Sequence, residues 1–243
     1  MNIAEKTVLI TGANRGIGRA LVHEALKRGA KRVYAGTRGA PVNADKRVTP
    51  LTLDVTNMED IQRAANAIQT LDVLINNAGI ARYEALTDLD EIEQQLAVNL
   101  FGTFKMTRAF LPLLTRSRGA VVNTLSLMAL APFPITPGYS ISKAAAFNMT
   151  QSMRALQAAQ GVTVHGIILG PVDTDMTRGF EIPKASPEAV AVGIFDGLGR
   201  GEEDIFPDPM SQQIAEGWRN GVAKALERQF APFVQQNVAA TAA

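Results

Sequence analysis

Residues 7–28 read TVLITGANRGIGRALVHEALKR, and no other stretch restricts the fold so tightly. Thr7 to Thr11 have strand character and pass straight into a turn holding Gly12, Gly16 and Gly18. A helix follows, with Ile17, Leu21 and Leu26 on one side. Glycine permits a tight turn and the close approach of another backbone. A helix starting there presents free N–H groups and the positive end of its dipole to the turn. That arrangement suits a phosphate. Many α/β turns need glycine for backbone geometry alone, however, and the spacing G-x-x-x-G-x-G differs from the commoner dinucleotide fingerprint. The turn by itself leaves both readings open.

The rest of the chain repeats the theme. Short apolar runs bounded by Gly, Asn or Asp alternate with longer segments of helical period. This pattern predicts an α/β fold, a doubly wound parallel seven-stranded sheet with helices on both faces, in a single domain over residues 1–243. Strands are expected at Thr7 to Thr11, Arg32 to Thr37, Val48 to Asp54, Val73 to Asn77, Ala120 to Ser126, Val162 to Leu169 and Asp204 to Phe206. Helices are expected from about Gly16 to Arg28, Met58 to Gln69, Glu91 to Arg118, Tyr139 to Gln160 and Pro187 to Leu198. The Ala-rich end, residues 235–243, reads as a frayed tail.

Composition removes several function classes. Lys and Arg number 24 against 23 Asp and Glu, without a basic stripe, so nucleic acid is not an expected partner. Cysteine is absent, which excludes disulfides and thiol chemistry. The two histidines, His23 and His165, are far apart and have no carboxylate motif beside them, so no metal site is expected. The start, MNIAEKTVLITGA, is neither a signal peptide nor a membrane span; no membrane partner is expected and the chain is read as cytoplasmic.

Four further motifs follow in order: Asn76-Asn77-Ala78-Gly79, Asn99 within VNLFG, Ser126, and Tyr139 four residues before Lys143. Taken alone, a Y-x-x-x-K pair fits an aromatic packed over a helix start beside a solvated lysine. Taken with TGANRGIG, the set resembles the short-chain dehydrogenase/reductase family in its compact, TGxxxGxG subtype, from Thr7 to about Asp208. The resemblance implies a Rossmann-like oxidoreductase with a nicotinamide cofactor on Gly12, Asn14, Arg15, Gly16, Ile17 and Gly18. It also implies Asp54 on the adenine amino group, with Val55 beside it, and Asn76, Ala78 and Gly79 beneath the adenosine half. Val172 and Thr174 would meet the nicotinamide amide. Asn99, Ser126, Tyr139 and Lys143 would form the catalytic tetrad, the lysine holding the nicotinamide ribose and the asparagine kinking its helix and holding a relay water. Two positions depart from the family pattern. Leu169 stands where a proline usually precedes Gly170, and the usual paired serines are reduced to Leu125-Ser126.

The choice of cofactor follows from charge. A carboxylate about twenty residues beyond the glycine turn suits the ribose hydroxyls of NAD, whereas arginine suits the 2′-phosphate of NADP. No carboxylate lies between Glu24 and Asp45, while Arg38 ends the second strand and Arg15 lies in the turn. NADP(H) is therefore expected. Tyr139 and Lys143 fall on one helix face. A nearby ammonium and an oxidised nicotinamide both favour the phenolate, so the tyrosine pKa is expected to fall below its usual value near 10. Such a tyrosine can donate a proton to a carbonyl oxygen, or remove one from an alcohol. Ser126, at the end of a strand, can polarise the same carbonyl.

Apolar residues Met128, Phe133, Ile135, Met176, Phe180 and Ile182 are expected around the reacting carbon, with residues 176–186 as a short lid. A small apolar ketone, aldehyde or secondary alcohol suits such a pocket, although Arg178 and Lys184 keep an anionic substrate open. The expected activity is an NADPH-dependent carbonyl reductase, reversible as a secondary-alcohol dehydrogenase. The competing readings are an NAD-dependent alcohol or hydroxysteroid-type dehydrogenase and a non-catalytic NADP-binding regulator. Leu96, Phe104, Phe110, Phe147 and Met153 place apolar side chains on more than one face of the two long helices, and the family commonly assembles through them. A homodimer or homotetramer is expected.

Overall fold

The structure, a computed structural model, describes residues 1–39 and 45–234, so the expected tail at 235–243 lies outside the described residues. Strands β1 (Thr7–Thr11), β2 (Arg32–Thr37), β3 (Val48–Thr52), β4 (Val73–Asn76), β5 (Ala120–Thr124), β6 (Thr163–Ile167) and β7 (Asp204–Ile205) form one sheet. Their order is β3-β2-β1-β4-β5-β6-β7, and every neighbouring pair is parallel. Period-two alternation explains why the central strands read as unbroken apolar runs. Val8 and Ile10 of β1, with Val73 and Ile75 of β4, face a core shared with helices α1 (Gly16–Lys27) and α6 (Pro187–Arg200). Leu9 and Leu74 point the other way, into a core with α2 (Met58–Ala67) and α4 (Thr103–Ser117). Both faces are covered, so both sets of side chains must be apolar.

The chain winds outward from β1 to β3 and then returns to place β4 on the free side of β1. That reversal opens a crevice beyond the carboxyl ends of β1 and β4, where open α/β sheets take their ligands. Among helices that start at this edge, α2, α6 and α3 (Leu89–Leu96) are capped by Asn57, Ser186 and Asp88. Helices α1 and α5 (Pro137–Ala158) have no capping side chain at their own N-cap positions.

Several boundaries differ from expectation. Strand β3 stops at Thr52, β5 at Thr124 and β6 at Ile167. Ser126 therefore lies beyond β5, where it caps a short 3-10 turn, Leu127–Ala129. The single helix expected from Glu91 to Arg118 is α3, a π-helical turn at Ala97–Gly102, and α4. A Cβ on Gly102 would come within 2.8 Å of Val55 Cγ2, so this turn packs too closely on Val55 for a larger residue to fit unchanged. Pro137 occupies the first turn of α5, where its missing N–H costs nothing, and moves the helix start ahead of Tyr139. Two helices were not expected at all: α7 (Pro209–Arg219) and α8 (Val222–Phe230). Ala215 and Trp218 of α7 close a third core around Leu125, Phe147 and Phe206. Of the five apolar residues expected to serve more than one helix face, Phe110 and Phe147 are buried in cores, whereas Phe104 is exposed. No helix among the described residues is long and apolar enough to cross a membrane.

Candidate active site

The glycine turn is held from β4. Thr11 Oγ1 accepts the N–H groups of Asn77 and Ala78, each at 3.0 Å, and Asn77 Nδ2 donates back to the carbonyls of Thr11 and Gly12 at 3.0 and 3.3 Å. Gly12 and Gly16 have φ of +65° and +50°, a region that favours glycine. Gly18 is needed for space, because a Cβ there would lie 2.0 Å from the Gly12 carbonyl oxygen. Asn14 is exposed on the turn, and Ile17 packs against the core beneath it. Helix α1 begins here without a capping side chain and without an acidic residue in its first turn. An uncapped, acid-free helix start with Arg15 at its N-cap position fits a phosphate group.

The two arginines are placed differently. Arg15 pairs with Asp175 at 2.9 Å, reaching the segment that follows β6. Thr174 of that segment lies so near the turn that a Cβ on Gly16 would meet its Cγ2 at 3.0 Å. Val172 is buried at the base of the same segment. Arg38 is exposed at the end of β2 and acts on Asp54. Burial opposes ionisation of Asp54, but hydrogen bonds from Thr56 and the charge of Arg38 outweigh it and hold the carboxyl below its usual pKa. Val55 is buried against Gly102. Asn76 turns inward, donating to Thr107 Oγ1 at 3.0 Å and Asn123 Oδ1 at 2.9 Å. It is Asn77, not singled out from the sequence, whose side chain touches the glycine turn.

The four residues expected to react converge beside this turn. Lys143 is 4% exposed, donates to the Thr124 carbonyl at 2.7 Å, and has Nζ 5.6 Å from the centre of the Tyr139 ring. The Ser126 side chain hydrogen-bonds the Tyr139 phenol. Ser126 Oγ also accepts from Met128 N–H at 3.2 Å. Asn99, inside the π turn, donates to the Ile80 carbonyl at 2.8 Å and accepts Ile80 N–H at 2.9 Å. Its second donated bond runs to Ser142 Oγ at 2.9 Å, and Ser142 in turn donates to the Tyr139 carbonyl at 2.7 Å. Ser142 reads from sequence as a helix-start polar group; here it is fully buried and links Asn99 to the tyrosine backbone. Gly79 leaves this cluster open, since a Cβ there would lie 3.2 Å from Asn99 Oδ1 and 3.6 Å from Lys143 Nζ.

One electrostatic expectation is reversed. Part of the Tyr139 side chain reaches the surface, but burial around its hydroxyl pushes the phenol up to about 12, with the Ser126 hydrogen bond pulling the other way. Burial lowers Lys143 to about 8. Low polarity disfavours the charged form of each.

The expected apolar residues border the same edge. Phe133, Ile135, Met176 and Ile182 are exposed, Phe180 is half-buried, and Met128 accepts a hydrogen bond from Thr136 at its sulfur. Two neighbours were missed. Tyr83 stacks at a tilt on Phe180, and Glu84 accepts the N–H of Gly138 in the first turn of α5. Glu84 thereby supplies from the β4–α3 loop the cap that α5 lacks. His165 is buried, hydrogen-bonded to the Glu202 carbonyl and Thr163 Oγ1. Among the described residues, no group of three or more His, Cys, Asp or Glu side chains is placed to hold a metal ion.

Comparison with known proteins places this geometry in context. A family model described as short chain dehydrogenase matches residues 6–184. The 3-oxoacyl-(acyl-carrier-protein) reductase FabG of Vibrio cholerae is 33% identical over 190 residues, 73% of this chain and 78% of that one. The 11-beta-hydroxysteroid dehydrogenase-like 3 protein of Arabidopsis thaliana is 31% identical over 228 residues, 84% of this chain and 74% of its own length. Among solved structures, a short chain dehydrogenase from Burkholderia cenocepacia in complex with NADP is 36% identical. It superposes with a TM-score of 0.86, covering 94% of this chain and 98% of that one. A 3-ketoacyl-(acyl-carrier-protein) reductase from Brucella melitensis complexed with NADH shares the fold at a TM-score of 0.74 and 21% identity, over 86% of this chain and 93% of that one.

Proposed function

The chain belongs to the short-chain dehydrogenase family, and from that premise we propose that it is an NADPH-dependent carbonyl reductase, reversible as a secondary-alcohol dehydrogenase. The observation that carries the reading is the convergence of Ser126, Tyr139, Lys143 and Asn99 at the mouth of an uncapped glycine turn. The bound nicotinamide supplies the hydride. Ser126 and Tyr139 hold the substrate oxygen between two hydroxyl groups, and Tyr139 gives it a proton. A phenol pushed up to about 12 keeps that proton at neutral pH, which suits a donor in the reducing direction. Lys143 sits beneath the tyrosine ring, binds the nicotinamide ribose and eases the negative charge that Tyr139 acquires. Asn99, through Ser142, fixes the backbone of Tyr139.

The turn residues Gly12, Asn14, Gly16, Ile17 and Gly18 hold the pyrophosphate, and Asp54, Val55, Ala78 and Gly79 border the adenosine half. Asn76 supports that wall from within the sheet. Val172 and Thr174 meet the nicotinamide amide, and residues 176–186 cover the pocket. Arg38, with Arg15, takes the 2′-phosphate. Arg15 must exchange Asp175 for that phosphate, so Arg38 carries most of the preference. We place the protein in the cytoplasm as a homodimer or homotetramer; exposed Phe101, Phe104 and Leu156 support subunit contacts near α4 and α5. The cofactor assignment is tested by steady-state ketone reduction with NADPH and NADH. The wild type should favour NADPH by at least about tenfold, and Arg38→Asp should remove most of that preference by placing a repelling charge at the phosphate. Equal efficiency of both cofactors in the wild type would contradict it.

A further inference from the structure

Three aromatic rings from three separate segments meet beside Tyr139. Tyr83 comes from the β4–α3 loop, Phe133 from the segment before α5, and Phe180 from the segment after β6. Phe180 touches both others, its ring centre 5.8 Å from Tyr83 and 6.4 Å from Phe133. The planes are inclined by 30° and 49°, so the trio presents ring faces and edges rather than one closed stack. Tyr83 remains 64% exposed and Phe133 38%, unusually open for large aromatic groups already in mutual contact.

The position of the trio follows from backbone anchoring. The two residues flanking Tyr139 each fix one ring-bearing segment. Gly138 donates its N–H to Glu84, next to Tyr83, and Ser140 Oγ accepts the N–H of Phe133 at 3.1 Å. The third ring comes from the segment after β6, which is closed by backbone bonds. Phe180 N–H bonds the Thr177 carbonyl at 3.2 Å, and Ala185 N–H bonds the Pro171 carbonyl at 3.0 Å, closing the segment onto the sheet edge. The segments that carry Tyr83 and Phe133 are therefore tied to the residues on either side of Tyr139.

The charges nearby do not call for an anionic substrate. Arg82 faces Glu91 at 3.5 Å, Arg178 pairs with Asp175, and Lys184 donates to the Thr177 carbonyl at 2.8 Å. Each already has a partner within the protein. Aromatic pairs prefer offset and edge-to-face contacts, which a tilted trio offers to another planar ring.

Resting on the carbonyl reductase reading, we propose that the substrates are neutral ketones or aldehydes bearing an aromatic ring beside the carbonyl, recognised by Tyr83, Phe133 and Phe180. The pair acetophenone and cyclohexyl methyl ketone tests this, because the two differ in planarity and little in size. With NADPH, the wild type should favour the phenyl ketone in kcat/KM by about fivefold or more, and Phe180→Leu should bring the ratio to within about twofold of unity. Equal kcat/KM for the two ketones in the wild type, or an unchanged ratio in Phe180→Leu, would overturn the proposal. Acetophenone binding followed by ligand-observed NMR separates recognition from chemistry. If neither ketone turns over, saturable binding that Phe180→Leu abolishes upholds the aromatic site and sinks the reductase reading. Absence of saturable binding sinks both.

Discussion

At Lys143, the demands of the site and of the fold oppose each other. An ammonium 4% exposed, with one carbonyl acceptor at 2.7 Å, is poorly compensated, and burial lowers its pKa to about 8. The folded state thus binds this proton less readily than the unfolded chain, whose lysine titrates near 10.5. The stability penalty is complete below about pH 8 and is relieved as pH rises toward 10.5. Lys143→Met should therefore raise stability at pH 7 by about 1–2 kcal/mol, once the lost hydrogen bond is subtracted, while abolishing ketone reduction. Urea denaturation across pH 7 to pH 10.5 checks this: the stability gain of the variant should shrink as pH rises, and a variant less stable than wild type at pH 7 would refute the argument. The spacing of Tyr139 and Lys143 was legible in the sequence because four residues make one helical turn. The direction in which Tyr139 shifts was not, because desolvation depends on everything packed around the group. Glu84 was illegible for a related reason: its partner Gly138 lies on a different element, and no local pattern joins them.

Among the elements, the segment after β6 depends on the C-terminal helices. Asp208 is 1% exposed and accepts four hydrogen bonds: from Gly170 N–H at 2.8 Å, Ser211 Oγ at 2.7 Å, Met210 N–H at 3.1 Å and Ser211 N–H at 3.0 Å. Three of these cap α7, and the fourth fixes the loop that leads to Val172 and Thr174. Gly170 is required for the contact, since a Cβ there would lie 2.5 Å from Asp208 Oδ1. Asparagine at this position can still cap α7 through its oxygen, but its amide would face the Gly170 N–H with a second donor. Asp208→Asn should lower kcat/KM for NADPH by about tenfold, a loss of the size expected when a buried N–H is left unpaired. A melting temperature reduced with unchanged kinetics would make Asp208 a helix cap only. Helix α7 was not read from the sequence, although Asp208 followed by Pro209 is an N-cap aspartate before a first-turn proline. The second partner of Asp208, 38 positions away in the chain, was not readable. The π turn was hidden from the apolar pattern, which runs on from Glu91 to Arg118 without interruption, and only the family resemblance pointed to a kink at Asn99. What breaks the helix is tertiary: Asn99 bonding Ile80 and Gly102 packing on Val55.

For the whole molecule, the sheet was legible because burial on both faces writes itself as continuous apolar strands, and the glycine turn fixed which strand comes first. The C-terminal closure was less so. Arg154 of α5, Asp204 of β7, and Lys224 and Glu227 of α8 form one ionic cluster, with Lys224 and Asp204 each 2% exposed at their side chains and 2.9 Å apart. Trp218 Nε1 adds a bond to Asp204 at 2.8 Å. Such a cluster contributes little net stability when complete and is costly to break, so it fixes where α8 sits more than how firmly the protein folds. Its members are ordinary charged residues scattered along the sequence, distinguishable only once burial brings them together. By holding α7 and α8 against α5 and β7, the same closure supports both the helix bearing Tyr139 and the loop bearing Val172. The proposed reduction requires Tyr139 as proton donor, and NADPH oxidation with a neutral ketone, comparing wild type with Tyr139→Phe, tests that role most directly. The variant should lose at least about a hundredfold in kcat while binding NADPH, followed by fluorescence titration, within about threefold of wild type; ketone reduction continuing at the wild-type rate would contradict it.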